Sequence, residues 1–83
     1  MLIKVLFFAR SREVCGVSEV HVELPDGSST HDLLASLTRT YAGLDSVMRS
    51  CVFALNQDYV PAGEGVALKE GDEVAVIPPL SGG

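Results

Sequence analysis

Cations are scarce in this sequence: six lysines and arginines stand against eleven aspartates and glutamates, a formal net charge of -5. That balance disfavours a nucleic-acid binder, whose affinity comes largely from clustered Lys and Arg, and it suits a basic protein partner. Cysteine is sparse too. Cys15 and Cys51 are far apart and form no Cys-x-x-Cys pair, which indicates neither a metal site nor a redox motif. No cation-rich motif accompanies either thiol, so both are read as reduced core residues of a protein of the cytosol or an equivalent reducing compartment. His21 and His31 lack ligand spacing to another His, Cys or acid, and no metal is expected. A long hydrophobic run is missing as well: the apolar start is interrupted by Lys4 and followed by Arg10 and Arg12, too short to span a bilayer and without a small-residue cleavage site. The 83 residues leave no room for a second domain.

What the chain does have is apolar content, 47% hydrophobic residues against 20% charged, the composition of a folded globule. Leu2 to Ala9 reads as a strand with apolar side chains on both faces, hence a central one. Ser11 to Cys15 makes a short helical turn closed by Gly16. Ser18 to Leu24 alternates, with Val20, Val22 and Leu24 opposite Glu19, His21 and Glu23, as a half-exposed strand does. Pro25-Asp26-Gly27 is turn chemistry. Thr30 is the expected N-cap of the main helix, with Asp32 in its first turn and Leu33, Leu34, Leu37 and Tyr41 on one stripe until Gly43. Asp45 to Ser50 adds a turn. Cys51 to Asn56 follows as a strand, Tyr59-Val60-Pro61 as a short edge strand, and Glu70-Gly71-Asp72 turns into a last strand from Glu73 to Ile77.

The order β, β, α, β, short β, β, with apolar first and last strands, is that of an α+β β-grasp fold: a mixed sheet with one main helix on one face. Pairing those two strands in parallel at the centre, with the helix as crossover, satisfies their two-sided hydrophobicity. The opposite face then lacks a helix. Either Leu2, Leu6 and Phe8 or, in the other register, Ile3, Val5 and Phe7 would form an apolar patch there, the usual mark of a protein interface.

Residues 1–77 form the expected domain and residues 78–83 an extended tail, Pro78-Pro79-Leu80-Ser81-Gly82-Gly83. Pro-Pro favours an extended conformation that cannot rejoin the sheet. Gly82 and Gly83 make an arm thin enough to thread a tunnel and present the Gly83 carboxylate to another protein. That carboxylate is ionised and inert at neutral pH, so it must be activated, most simply as an acyl-adenylate from ATP, before an amine or a sulfur can take it.

Phe7-Phe8-Ala9-Arg10-Ser11-Arg12-Glu13, followed by Gly16, resembles the first strand and turn of molybdopterin synthase small subunits. The ending Gly71-Asp72-Glu73-Val74-Ala75-Val76-Ile77-Pro78-Pro79-Leu80-Ser81-Gly82-Gly83 is similar to that family's C-terminal signature, whereas thiazole-pathway carriers are typically shorter and generally lack the Pro-Pro step. Tyr59-Val60 fits, Ala54-Leu55-Asn56-Gln57 is close to the family's usual Ala-Val-Asn segment, and Leu80 replaces a commoner β-branched residue. The resemblance covers essentially the whole chain. It implies a ubiquitin-like sulfur-carrier subunit of a two-subunit sulfurtransferase, not catalytic alone and holding no bound cofactor. An E1-like activating enzyme would use ATP to adenylate Gly83, and sulfur from a donor system would leave a terminal thiocarboxylate. The arm would then enter the large subunit and give its sulfur to cyclic pyranopterin monophosphate, building the dithiolene that holds molybdenum. The cations for the substrate phosphate would come mainly from the large subunit, given this chain's acidity.

Gly83 is therefore the expected catalytic residue, with Pro78, Pro79, Leu80, Ser81 and Gly82 in tail insertion and partner binding. Phe7, Arg10 and Arg12 are candidate interface residues, with Glu13 beside them; a solvated ion pair is the alternative for the charged ones. Gly71 and Asp72 serve the turn. A ubiquitin-like protein modifier, using the same fold and Gly-Gly end for isopeptide bonds, is the competing reading, and a plain interaction domain is the third.

Overall fold

The computed structural model describes residues 1–61 and 63–78. Its elements are β1 (Leu2–Phe7), α1 (Ala9–Cys15), β2 (Glu19–Glu23), α2 (Thr30–Thr40), α3 (Leu44–Met48), β3 (Val52–Leu55), β4 (Asp58–Val60) and β5 (Glu73–Ile77). The five strands form one sheet in the order β2-β1-β5-β3-β4. β1 and β5 lie parallel at its centre, in the register Val5 opposite Val74 and Phe7 opposite Val76, and every other pairing is antiparallel. This is the ubiquitin-like β-grasp arrangement. A parallel neighbour needs a crossover, and the chain between β1 and β5 supplies the helices that cover one face.

The two phases of β1 go to different fates. Ile3, Val5 and Phe7 are buried, together with Val74 and Val76 of β5, Phe53 of β3 and Val60 of β4, and they pack against Leu33 and Leu37 of α2 and Leu44 and Val47 of α3. Phe7 also meets Tyr41 edge-on, with ring centroids 5.6 Å apart. The other phase, Leu2, Lys4 and Leu6, faces away from the helices. Lys4 is held there between two acids, Glu19 at 3.7 Å and Glu73 at 3.8 Å.

Local chemistry moves some boundaries. β1 stops at Phe7 and not at Ala9, because Ala9 adopts a left-handed φ of 51° and opens α1. The N-cap of α2 is Ser29, not Thr30: Asp32 reaches back to accept the Ser29 backbone N–H at 2.8 Å, the reciprocal half of a capping box. Thr30 is one residue inside the helix and almost fully buried. Its backbone N–H donates to Val66 O at 2.9 Å and its Oγ1 accepts the Val66 N–H at 3.0 Å, which fastens the segment before β5 to the helix start. Gly43, at φ 91°, caps the start of α3, while α2 ends at Thr40 with Tyr41 as its C-cap. β4 is the short edge strand the Pro61 stop requires.

Candidate functional site

β5 delivers the chain to Pro78, which is exposed. Pro79, Leu80, Ser81, Gly82 and Gly83, the remaining tail residues singled out from the sequence, lie outside the described residues. The site is therefore built from what surrounds the foot of the tail. Because β1 runs parallel to β5, the end of β1 and the turn into α1 lie at the same end of the sheet as Pro78; because β3 runs antiparallel, its beginning lies there too, with Val52 opposite Ile77.

The turn after β1 is tightly specified. Ser11 is fully buried, and its Oγ donates to Phe8 O at 2.7 Å while accepting the Phe8 N–H at 3.1 Å. This local clamp holds Ala9 in its left-handed conformation, which costs a residue with a Cβ roughly 1 kcal/mol or more. With seven residues, α1 is too short to persist alone; it lies against α3, where Val14 Cγ1 approaches the backbone at Gly43. The result projects Phe8 outward, 48% exposed.

Phe7, expected from the sequence as an interface residue, is instead a core residue at 1% exposure, because the buried phase of β1 is Ile3, Val5 and Phe7. Phe8 takes the exposed place. Arg10 lines a small cavity of about 90 Å³ together with Pro78, Phe8, Ala9, Val47, Ser50 and Cys51. Arg12 is exposed on the same helix but is not among the cavity's walls. Neither arginine enters an ion pair among the described residues. Val47, Ser50 and Cys51 had not stood out as site residues, since nothing local in the sequence distinguishes them; only the antiparallel β3–β5 pairing brings them beside Pro78.

The outer sheet face continues from this corner. Leu6 lies opposite Ala75, Ala75 opposite Ala54, and Ala54 opposite Tyr59, which is 44% exposed. With Val52, Ile77 and Phe8 these residues make an apolar strip toward the end where β5 leaves the sheet. Glu19, His21 and Glu23 make the β2 border polar.

Neither thiol is drawn toward its thiolate form. Burial pushes both Cys15 and Cys51 above the ordinary cysteine value, and at Cys51 the weaker opposing pull of the Arg10 guanidinium does not reverse it. Among the described residues no group of three or more His, Cys, Asp or Glu could hold a metal ion. No helix among them is long and apolar enough to cross a membrane.

The model of the ThiS family matches residues 5–83. The chain is similar to the molybdopterin synthase sulfur carrier subunit of Chlamydomonas reinhardtii, 63% identical over 83 residues and covering 100% of each chain. It is also similar to the human molybdopterin synthase sulfur carrier subunit, at 38% identity over 82 residues, covering 98% of this chain and 93% of the other. Among solved structures it resembles the small archaeal modifier protein 1 of Methanosarcina acetivorans, with a TM-score of 0.79 at 31% identity, covering 99% of this chain and 96% of that one.

Proposed function

The chain belongs to the ThiS family, and from that premise we propose that it is the sulfur carrier subunit of a molybdopterin synthase. The observation that carries this reading is the full-length 63% identity to a relative bearing that name. The apolar strip ending at Phe8 and Ile77 supports it, because a partner that takes a tail leaving at Pro78 must lie against that corner.

The chemistry follows from the carboxylate. An E1-like enzyme joins the Gly83 carboxylate to the α-phosphorus of ATP with loss of pyrophosphate. A sulfur nucleophile from a donor system then displaces AMP, leaving a thiocarboxylate. The large subunit receives the arm, with Pro79, Leu80, Ser81 and Gly82 spanning from Pro78 to the reactive end. Sulfur passes to cyclic pyranopterin monophosphate, and the carboxylate is regenerated by water. The small subunit contributes the sulfur and its delivery, and the large subunit the substrate site.

A second reading is favoured by one likeness, that to a small archaeal modifier protein: the activated Gly83 would pass to lysine amines of other proteins. Expressing the tagged chain with and without Gly82-Gly83 separates the two. A ladder of higher-mass conjugates, lost on the deletion, establishes the modifier. Loss of molybdenum cofactor on the deletion, without a ladder in the intact strain, supports the carrier.

A further inference from the structure

The cavity beside Pro78 is lined by both apolar and cationic side chains. Phe8, Val47, Cys51 and Pro78 supply apolar walls, and Arg10 and Ser50 polar ones. At about 90 Å³ it equals roughly three water volumes of ~30 Å³ each, space for one aliphatic side chain. Arg10 at its rim is exposed and forms no ion pair among the described residues, although acids outnumber cations in this chain by eleven to six. The clamp of Ser11 on the Phe8 backbone fixes the point from which the ring projects, which lowers the ordering left to be done on binding.

Resting on the carrier reading, we propose that this cavity is a socket for the large subunit, which inserts one aliphatic side chain against Phe8, Val47 and Cys51 and sets a neighbouring carboxylate on Arg10. Three features select this occupant. The socket is continuous with the apolar strip through Phe8. It shares Pro78 with the tail, so the protein that takes the tail covers it. Its charge, unpaired among the described residues, is positive in an acidic chain, which calls for an acidic group here where the rest of the molecule suits a basic surface. A lasting subunit contact needs on the order of 800 Å² per partner, and an anchor filling a preformed pocket near its centre is where such contacts concentrate their affinity.

The test is isothermal titration of the full chain with the isolated large subunit, comparing wild type with Arg10→Glu, with Ser50→Phe to obstruct the cavity, and with Arg39→Glu as a charge-matched change on α2. Thermal unfolding of each variant accompanies it. The socket predicts that Arg10→Glu and Ser50→Phe each weaken binding about tenfold or more, that Arg39→Glu stays within about twofold, and that all unfold as wild type does. Wild-type affinity in both Arg10→Glu and Ser50→Phe overturns the socket and leaves the carrier reading standing. Failure of the wild-type chain itself to bind overturns both.

Discussion

The Asn56 side-chain amide donates to the Asp72 carboxylate at 3.0 Å, tying the β3–β4 hairpin to the turn that launches β5. The same Asn56 accepts the Glu73 N–H on its Oδ1, and Asp72 accepts the Lys69 N–H on its other oxygen at 2.8 Å. Asp72 is 6% exposed, so its carboxylate relies on these donors in place of water. Replacing Asp72 with Ala leaves two donors without their acceptor and should cost about 1–3 kcal/mol. Urea unfolding should show a lower midpoint with an unchanged slope.

The same residue sets an acid limit. The hydrogen bond from Asn56, helped by the Lys69 N–H and charge, holds the Asp72 carboxyl below its ordinary value of 3.8, against a partial opposing effect of burial. A depressed folded value means the unfolded chain takes up the proton first. The stabilisation from Asp72 is therefore present above pH 3.8 and lost as pH falls through the lower folded value. Unfolding free energy measured from pH 6 downward should fall less steeply near its acid end in Asp72→Asn than in wild type.

Phe7 and Phe8 should separate stability from recognition. Phe7→Ala opens the core beneath Tyr41 and is expected to cost about 3–5 kcal/mol. Phe8→Ala, on an exposed ring, should stay within about 0.5 kcal/mol while weakening association with the large subunit. Chemical denaturation and titration on the same two samples check the pair; equal stability losses would contradict the assignment of the two phases of β1.

Thr30→Val keeps the volume of a buried side chain and removes its hydroxyl, so the Val66 N–H loses its acceptor. A loss of about 1–3 kcal/mol is expected. Amide exchange should quicken at Val66 by more than at Val5 in the central strand.

The central parallel β1–β5 pairing and the edge place of β4 were legible in the sequence, because continuous hydrophobicity in β1 and β5 reports two buried faces and Pro61 bars a ladder partner beyond β4. The phase of β1 was not. Leu2, Leu6 and Phe8 are as apolar as Ile3, Val5 and Phe7, and only packing on α2 and α3 decides between them, which is why the sequence offers Phe7 as an interface residue although it is Phe8 that is exposed. The helix cap was displaced by one residue because Ser28-Ser29-Thr30 offers adjacent hydroxyls, and the contact that distinguishes Thr30 comes from Val66, far along the chain. The cavity beside Pro78 draws on residues near positions 8, 47 and 78, a juxtaposition made by strand pairing and invisible to any local pattern.

Threading of the arm makes a separate prediction. Replacing Gly82 with Trp, or adding one residue after Gly83, should abolish sulfur transfer and leave the unfolding midpoint where it is. A single-turnover assay with the large subunit and precursor measures the first, and calorimetry the second; full transfer in either variant would remove the need for a thin, free carboxyl end.

The most direct measurement is intact-protein mass spectrometry of the chain after incubation with ATP, an adenylating enzyme and a sulfur donor, alongside a Gly83 deletion. The sulfur-carrier account predicts a mass gain equal to one oxygen exchanged for one sulfur, in the intact chain alone. An unchanged mass with a demonstrably active enzyme, or attachment through lysine instead, would contradict it.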